Sequence, residues 1–418
     1  AYHRKGAQFT SALDGADLGE ERDTVLSASL YFTPGESFRS IVSATWYEND
    51  DGPPAASQVG RSAFNCGPFG GTFRTICGEI PAPAPSANVA TVPAALSTVL
   101  ARFGNGIVGA MKSEFGLDRE ALRASWINEF DIPGTAVTLT AITGYNDEEV
   151  NHLADGDNSG AERFAIATQR KFEDFSQELR ASASAFDERL QWTLGVNYID
   201  QEYTEYFNQL LMRTATAWLN LGNFLPDARD IETRGAFGSA TFRLTQSLRM
   251  TGEFRYQVER VTARSAIGGP AQQKLSADFI SRNPRLTLEF TPTDGALYYL
   301  SYSEGTLPGG FNTALATLSA PQLAFILAQD PKVGVAFAEE SLEQWELGAK
   351  NQFLDGRAST RVALFRQERK DQVFRRGYAF PDATAPGGTR IANVFTNSGS
   401  TDIQGIELEA SWLPVDRL

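Results

Sequence analysis

The residues that could carry chemistry are few and widely spaced. A glycine-rich stretch, SEGTLPGGFN at 303–312, could cradle a phosphate, because backbone N–H groups in such turns bind anions. The stretch lacks the Lys-Ser/Thr ending and the following helix that a phosphate loop requires. The alternative is an exposed connection, in which glycine and proline turn the backbone. The stretch therefore favours a loop over a phosphate site.

Closely spaced carboxylates suggest a second chemistry, general acid and base catalysis. Glu407 and Glu409 lie two residues apart, and Glu253 and Glu259 share another such stretch. Residues two apart point to the same side of a strand. Charged residues on the hydrated side of a strand are common, so these glutamates are expected to be solvated. We predict no catalytic residues.

The two cysteines, Cys66 and Cys77, lie in the glycine-rich segment FNCGPFGGTFRTICGEI. A disulfide between them would indicate an oxidising compartment. A metal site is the alternative, but a four-ligand site needs further cysteine or histidine nearby. The chain has only two histidines, His3 and His152. We predict a disulfide between Cys66 and Cys77, no metal site and no cofactor.

The composition excludes several classes of protein. A net charge of −14 argues against a nucleic-acid partner, since binding to a phosphate backbone depends on clustered Lys and Arg. With 42% hydrophobic and 21% charged residues, the chain is neither disordered nor a helical membrane bundle. No stretch approaches the ~18 to 20 consecutive apolar residues of a membrane-spanning helix.

Most of the chain alternates with period two, which is typical of strands with one apolar and one polar side. In SLRMTGEFRYQVERV, Phe254 and Tyr256 lie on the apolar side, whereas Glu253 and Arg255 lie on the polar side. Many such runs reach about ten residues, longer than the usual soluble strand. We count about fourteen strands and predict an all-β fold.

The connections between these strands alternate in length. An antiparallel barrel with tight turns at one rim and large loops at the other has this pattern. Aromatic residues cluster near strand ends, as expected at two membrane interfaces. Short turns are predicted at 33–37, 132–136, 186–190, 244–248, 291–296, 354–358 and 413–416, and long segments at about 49–121, 147–170, 204–229, 262–276, 305–338 and 374–391.

Two long segments contain apolar residues at helical spacing, at 93–119 and 313–329. A helix in such a segment either packs the loop or contacts a ligand. Long loops with structure of their own are often functional. We therefore place the candidate ligand contacts in the outer loops at about 49–121 and 305–338, without naming individual residues.

The stretch at 297–414 resembles the barrel of TonB-dependent outer-membrane receptors. The matching elements are YYLSYSEGTLPGGFN, then EESLEQWELGAKNQFLDGRASTRVALFRQERKDQVF, then NVFTNSGSTDIQGIELEASWLP. Their order and spacing over more than a hundred residues make the resemblance specific. DGADLGEERD and SATWYENDDGPPA are also similar to this family, though more loosely. The resemblance therefore covers nearly the whole chain.

The resemblance implies a transmembrane antiparallel β-barrel of 22 strands in the outer membrane of a Gram-negative bacterium, with long extracellular loops and short periplasmic turns. Residues 1–418 would then be a partial barrel domain with a large extracellular loop at about 49–121. The plug domain, the first strands and the last strands of the family are expected to be missing. In this arrangement Phe254, Tyr256, Trp192, Leu194, Leu408 and Trp412 face outward, and Arg255, Glu253, Thr193 and Glu407 face inward.

The resemblance also implies a function. Members take up a scarce ligand, and we expect a ferric siderophore or similar iron chelate, with cobalamin or an oligosaccharide as other classes. The expected partners are outer-membrane lipid and a TonB-type energy-coupling complex that acts through the missing plug. The alternative is a passive pore formed by a complete barrel of about fourteen strands. An enzyme is not expected, because no catalytic cluster is present.

Overall fold

The computed structural model describes residues 2–66, 75–82, 85–89, 91–103, 107–158, 163–214, 217–220, 227–264, 274–383 and 388–414. Two α-helices, α1 (Ala94–Leu100) and α2 (Ala320–Gln329), lie in long connections. The strands are β1 (Tyr2–Lys5), β2 (Phe9–Thr10), β3 (Asp17–Leu18), β4 (Glu21–Gly35), β5 (Phe38–Asp51), β6 (Gly116–Asp131), β7 (Val137–Asp155), β8 (Phe164–Ala185), β9 (Leu190–Thr214), β10 (Ala217–Asn220), β11 (Asp227–Arg243), β12 (Leu248–Arg264), β13 (Lys274–Thr293), β14 (Ala296–Leu307), β15 (Gly310–Phe311), β16 (Ala336–Phe337), β17 (Glu340–Phe353), β18 (Ala358–Lys370), β19 (Val373–Pro381), β20 (Thr389–Asn397) and β21 (Thr401–Trp412).

One antiparallel sheet dominates the structure. Its order is β1-β4-β5-β6-β7-β8-β9-β11-β12-β13-β14-β17-β18-β21, and β10 pairs with β9. The predicted all-β fold and the predicted number of long strands are therefore confirmed. Within the described residues, β1 and β21 are not paired with each other, so the sheet does not close. No described helix has both the length and the apolar character needed to cross a membrane.

The alternation of short and long connections is confirmed at six of the seven predicted short turns, and it defines two ends of the sheet. The seventh, at 413–416, extends beyond the described residues. Tight turns join β4 to β5, β6 to β7, β8 to β9, β11 to β12, β13 to β14 and β17 to β18 at the short-turn end. The remaining connections lie at the opposite, long-loop end. Several predicted loops are too long, however. The strands β7, β8 and β9 occupy most of 147–170 and the first half of 204–229, and a hairpin of β19 and β20 occupies most of 374–391.

The physical reason for these errors is the polarity of the strand extensions. Charged residues at 147–171 indicate a loop when they are considered alone. In the sheet they pair across strands instead, as Lys171 does with Glu149 at 3.2 Å. The strand β9 has 25 residues. A tilted membrane-spanning strand needs only about 9–11 residues, so β9 is long enough to continue well beyond a bilayer.

The sheet has an apolar face and a polar face. Leu194, Gly238 and Phe254 are register partners on β9, β11 and β12, so they share the apolar face. Leu194 is 60% exposed and Phe254 is 48% exposed. Phe254 is therefore not packed in a closed core, as predicted. The other residues predicted to face outward are also on this face, with Tyr256, Leu408 and Trp412 exposed and Trp192 half-buried.

The polar face carries hydroxyl side chains that hydrogen-bond across neighbouring strands. Such cross-strand pairs stabilise an antiparallel sheet modestly, by about 0.2–1 kcal/mol each. They also satisfy the hydroxyl groups without burying charge. The pairs are Ser27 with Thr45 at 3.0 Å, Ser29 with Ser43 at 2.9 Å, Thr241 with Thr251 at 3.0 Å and Ser359 with Ser411 at 2.8 Å.

At the long-loop end, a covering loop lies over the apolar face. We use this name for the described residues of the connection between β5 and β6. Leu96 of α1 packs in one buried cluster with Leu153 of β7 and Leu210 of β9. Gln169 of β8 fixes the loop, because its Oε1 accepts from the Ile107 N–H at 3.1 Å and its Nε2 donates to a backbone carbonyl at 3.0 Å. The predicted helix in 93–119 is confirmed.

A second small core lies beyond β14. The helix α2 packs Ile326 against Phe380 and Val394 of the β19–β20 hairpin. Asn312, at the end of the glycine-rich stretch, donates to the Phe395 carbonyl at 2.8 Å and accepts from the Phe395 N–H at 2.7 Å. A side chain at Gly309 would collide with the Phe337 carbonyl oxygen and the Phe279 ring. The glycines therefore permit close packing where the chain leaves the sheet.

Candidate functional site

The register of four strands brings four charged side chains and a tyrosine together on the polar face, near the long-loop end. Ala121 of β6 pairs with Tyr47 of β5 and with Glu148 of β7, so these three residues point the same way. Arg119 and Arg123 lie two residues on either side of Ala121. Because Ala121 is small, the surrounding long side chains can converge above it.

The fifth member is Arg170 of β8, and we call Tyr47, Arg119, Arg123, Glu148 and Arg170 the arginine cluster. Phe172 of β8 is the register partner of Glu148, and Arg170 lies two residues before Phe172 on the same side of the strand. The elements that build the cluster are therefore the extensions of β5, β6, β7 and β8 toward the long-loop end.

The Glu148 carboxylate is the centre of the arginine cluster. The Tyr47 hydroxyl donates to Glu148 Oε2 at 3.0 Å, and Arg119 donates to the same oxygen. Arg123 Nη2 lies 3.7 Å from Oε2, and Arg170 Nη2 lies 3.6 Å from Oε1. The residue is 8% exposed. A carboxylate removed from water requires such pairing, because an isolated buried charge is costly.

The ring of Tyr47 organises two of the guanidinium groups. The guanidinium carbons of Arg119 and Arg123 lie 5.0 Å and 5.4 Å from the ring centroid. Arg123 also donates to the Tyr47 hydroxyl at 3.2 Å. Stacking of a guanidinium on an aromatic face is favourable by about 0.5–1 kcal/mol or more. The cluster is therefore held in place before any ligand arrives.

The arginine cluster has the chemistry of an anion-binding site. Glu148 can neutralise one of its three guanidinium groups, and Asp174 lies near enough to Arg123 to interact with it electrostatically. The Arg123 side chain is still 58% exposed, and that of Arg170 is 40% exposed. Planar guanidinium forks match carboxylate and phosphate oxygens in geometry. Arg123 already donates to Asn146 and to Tyr47, and Arg170 is the register partner of Glu205. An acidic ligand on the polar face can bind through the N–H groups that these contacts leave exposed.

The structure joins Cys66 and Cys77 in a disulfide, with 5.7 Å between their Cα atoms. The Asn65 side chain supports the bridge, because its amide donates to the Cys77 carbonyl at 2.9 Å and accepts from the Cys77 N–H at 2.6 Å. Within the described ranges, no group of three or more His, Cys, Asp or Glu side chains is placed to hold a metal ion. Residues 67–74, between the two cysteines, lie outside the described residues.

The predicted ligand-contacting loops have smaller bounds in the structure. Both ends of the predicted loop at 49–121 are strand in the structure, since β5 ends at Asp51 and β6 begins at Gly116. The loop at 305–338 contains β15, α2 and β16. Direct ligand contact by either loop stays a prediction. Of the glutamates expected to be solvated, Glu409 pairs with Arg361 at 3.1 Å and Glu253 pairs with Arg285 at 3.5 Å. Glu259 accepts a hydrogen bond from Gln257 at 3.0 Å.

Sequence reasoning missed the arginine cluster because its members fall at the edges of predicted loops. Arg119 lies inside the predicted loop at 49–121, whereas Glu148 and Arg170 lie inside the predicted connection at 147–170. A signal was present in LDREALRASW, where Arg119, Ala121 and Arg123 alternate with period two. Extending β6 toward its N-terminus would have placed both arginines on the polar face.

Comparison with known proteins identifies the family. A family model described as TonB dependent receptor-like, beta-barrel matches residues 83–415. The chain belongs to this family, whose members are transport receptors in the outer membrane of Gram-negative bacteria. A search of curated proteins finds no match to the sequence.

Solved structures with the same fold include three receptors. The ferric yersiniabactin uptake receptor FyuA from Yersinia pestis is 15% identical with a TM-score of 0.64, over 99% of this chain and 53% of that one. The siderophore receptor PiuA from Acinetobacter baumannii is 14% identical with a TM-score of 0.64, over 99% and 57%. The ferric-catecholate import receptor Fiu from K12 E. coli is 12% identical with a TM-score of 0.60, over 99% and 58%. The chain thus spans little more than half the length of these receptors, and at such identities the likeness concerns the fold.

Proposed function

We propose that this chain forms part of the barrel wall of a TonB-dependent receptor that actively imports an acidic metal chelate, with a ferric siderophore as the leading class. The observation that carries the proposal is the arginine cluster on the polar face. Three of the structurally similar proteins are, by name, a ferric yersiniabactin uptake receptor, a siderophore receptor and a ferric-catecholate import receptor. Their fold alone does not select a ligand for this chain, so the cluster provides the chemical argument.

The orientation follows from the two faces and the two ends of the sheet. The exposed apolar face contacts lipid, because no aqueous environment would stabilise so many exposed apolar side chains. The polar face then lines the lumen of a barrel with about 22 strands in the whole receptor. Its short-turn end faces the periplasm, and its long-loop end faces the outside of the cell. The arginine cluster therefore lies on the path of an arriving ligand.

The transport step requires parts outside this chain. A plug in the lumen, remodelled by a TonB-type energy-coupling complex, would release the bound chelate inward. The chain itself contributes binding and a path, and no covalent chemistry is assigned to it. The loops at 49–121 and 305–338 would make the first contacts, and the arginine cluster would receive the acidic groups of the chelate below them.

The test uses the full-length receptor with Arg119→Gln and Arg123→Gln combined. Affinity for an acidic ferric chelate should fall at least tenfold, about 1.4 kcal/mol, because two oxyanion partners are lost. Isothermal titration with the purified receptor measures the change. The matched control is Arg249→Gln, which removes a polar-face arginine paired with Glu289 at 2.8 Å near the short-turn end.

Unchanged affinity in the double variant, or an equal loss in the control, would contradict the assigned site. A neutral ligand such as an uncharged oligosaccharide should bind both variants alike. A passive pore is separated from an active receptor by uptake in cells whose proton-motive force has been dissipated. Uptake should stop for a TonB-dependent receptor and continue for a pore.

A further inference from the structure

A further arginine, Arg255, lies on the polar face of β12, in the half of the sheet nearer the short turns. It pairs in register with Phe237 of β11, and Phe237 pairs with Gly195 of β9. The chain neighbours Phe254 and Leu194 point to the apolar face, and adjacent residues of a strand point to opposite faces. Gly195, Phe237 and Arg255 therefore share the polar face.

Two glycines make room for the side chains around Arg255. A side chain at Gly195 would collide with the Phe237 ring, and one at Gly235 of β11 would collide with the Asn197 side chain of β9. The Phe237 ring therefore lies over Gly195, and Asn197 reaches across Gly235. The glycines thus permit a side-chain bridge from β9 over β11 to β12.

This bridge holds the Arg255 guanidinium with neutral groups. Its Nη2 donates to Asn197 Oδ1 at 3.1 Å, and its Nε donates to Gln257 Oε1 at 2.9 Å. The guanidinium carbon lies 5.9 Å from the centroid of the Phe237 ring. The two hydrogen bonds occupy only some of the N–H donors of a guanidinium. The remaining donors are oriented before any further partner arrives.

The carboxylates nearest to Arg255 along β12 have other partners. Glu253 pairs with Arg285 at 3.5 Å, and Glu259 accepts from Gln257 at 3.0 Å. Within the part of the chain that the structure describes, Arg255 forms no ion pair of its own. A partly exposed guanidinium with fixed orientation and neutral partners is suited to an oxyanion, because its planar fork matches carboxylate geometry.

The register of the sheet places Arg255 nearer the short turns than the arginine cluster. Through β8 and β9, Glu148 of β7 is at the register level of Arg229 on β11. Phe237, the register partner of Arg255, follows Arg229 by eight residues toward the short turns, about 26 Å along the strand. In the proposed orientation, Arg255 therefore lines the lumen between the arginine cluster and the periplasmic end.

We propose that Arg255 forms a second oxyanion site on the lumen wall, which takes an acidic group of the imported chelate after it leaves the arginine cluster. The inference rests on the proposed function, because it needs an acidic ligand that moves along the polar face. A single, partly exposed guanidinium holds an oxyanion weakly. Weak binding suits a transient contact on an import path, so Arg255 affects the rate of uptake rather than the affinity.

A crystal structure of the full-length receptor soaked in selenate tests the site directly. Anomalous scattering should place selenate within hydrogen-bond distance of Arg255, and the Arg255→Gln variant should lose this peak. A carboxylate of the plug on Arg255 in place of selenate would overturn the proposal, because the arginine would then anchor the plug. Selenate that is no stronger at Arg255 than at Arg361, which is paired with Glu409 at 3.1 Å, would also overturn it.

Uptake of radioactive iron supplied as ferric citrate, an acidic chelate, tests the role of the site. Arg255→Gln should lower the uptake rate at saturating chelate at least fivefold, with the affinity unchanged, and Arg255→Lys should restore most of the rate. Gly235→Ala, which displaces Asn197 without changing charge, should also slow uptake. Receptor abundance in the outer membrane is measured for each variant, and uptake is expressed per folded receptor.

Matched controls repeat both chemical changes elsewhere on the polar face. Arg361→Gln removes an arginine paired with Glu409, and Gly305→Ala adds a methyl group where nothing lies within 4 Å. Uptake should not change in either control. Unchanged uptake in Arg255→Gln, an equal loss in the controls, or a loss of affinity would contradict the proposal. If the unmodified receptor does not import the chelate, the proposed function fails for that ligand, whereas the selenate experiment still decides the site.

Discussion

One face of the sheet meets two different environments at its two ends. Toward the short turns, apolar residues are exposed, as Leu194 is at 60%. Toward the long loops, Leu153 and Leu210 of the same face are 0% exposed, because the covering loop lies over them. The alternation of apolar and polar residues is the same in both regions. What differs is the apolar partner, which is the chain itself in one region and, in the proposed orientation, the bilayer in the other.

This comparison explains why the covering loop has a core of its own. The strands β7, β8 and β9 continue past the level at which lipid can cover them. Apolar side chains on these extensions would contact water if nothing else covered them, at a cost of about 25 cal/mol per Å². The helix α1 supplies Leu96, Val99 and Leu100 to this surface. The loop thus extends apolar burial beyond the bilayer.

The largest expected difference between the two regions follows removal of a leucine. Leu153→Ala leaves a cavity under the covering loop and should cost about 2–5 kcal/mol of loop docking. Leu194→Ala leaves no cavity, because lipid chains fill the space and are as apolar as leucine. Hydrogen exchange at 94–103 measures docking, and urea titration of the folded receptor measures global stability. Equal effects of the two substitutions would remove the distinction between the regions.

Introducing a charge on the apolar face or on the polar face tests which of the two faces contacts lipid. Leu194→Arg should destabilise the receptor in liposomes by about 2–4 kcal/mol if the residue lies near the midplane of the bilayer. The adjacent Thr193→Arg places the same charge on the polar face and should cost little. Folding titrations in liposomes compare the two variants. A costly Thr193→Arg with a tolerated Leu194→Arg would reverse the assignment of the faces.

The disulfide should stabilise only the loop-covered region. Cys66→Ser opens a covalent loop with a sequence separation of 11, which corresponds to about 2–3 kcal/mol of chain entropy. The expected result is faster exchange in the covering loop with no change around Leu194. In the native protein, Cys66 and Cys77 should resist alkylation until they are reduced. Free labelling of both cysteines without reductant would refute the bridge.

The smallest expected effect is a pH dependence of the β7 extension, where His152 lies on the polar face, opposite to the face under the covering loop. Burial, followed by the nearby Lys112 charge, lowers the pKa of His152 below its ordinary value of about 6.5. The folded region thus binds fewer protons than the opened one, so its stability falls as pH drops below about 6.5 and is constant above it. Hydrogen exchange across this range measures the trend. His152→Asn should abolish it, and a trend that persists in this variant would assign it to another group.

The sequence alone was sufficient for the long strands, the short turns and the positions of both helices, because each depends on local periodicity. The parts of β7, β8 and β9 near the long-loop end were not predicted as strand, because a polar run such as NDEEVNH has the composition that is typical of a loop. Its charges become paired only when β6 supplies Arg119 and β8 supplies Lys171 and Arg170. The arginine cluster was missed for the same reason, because Tyr47, Arg119 and Glu148 meet only through the register of three strands.

The most direct test of the account uses spin labels on the receptor in a bilayer, at Leu194, Thr193 and Tyr206. The Leu194 label should collide with oxygen dissolved in lipid, and the Thr193 label should collide with a water-soluble nickel chelate. The Tyr206 label, under the covering loop, should be shielded from both, since Tyr206 is 8% exposed. Equal access of the nickel chelate to Leu194 and Thr193 would contradict the membrane-facing assignment on which the account depends.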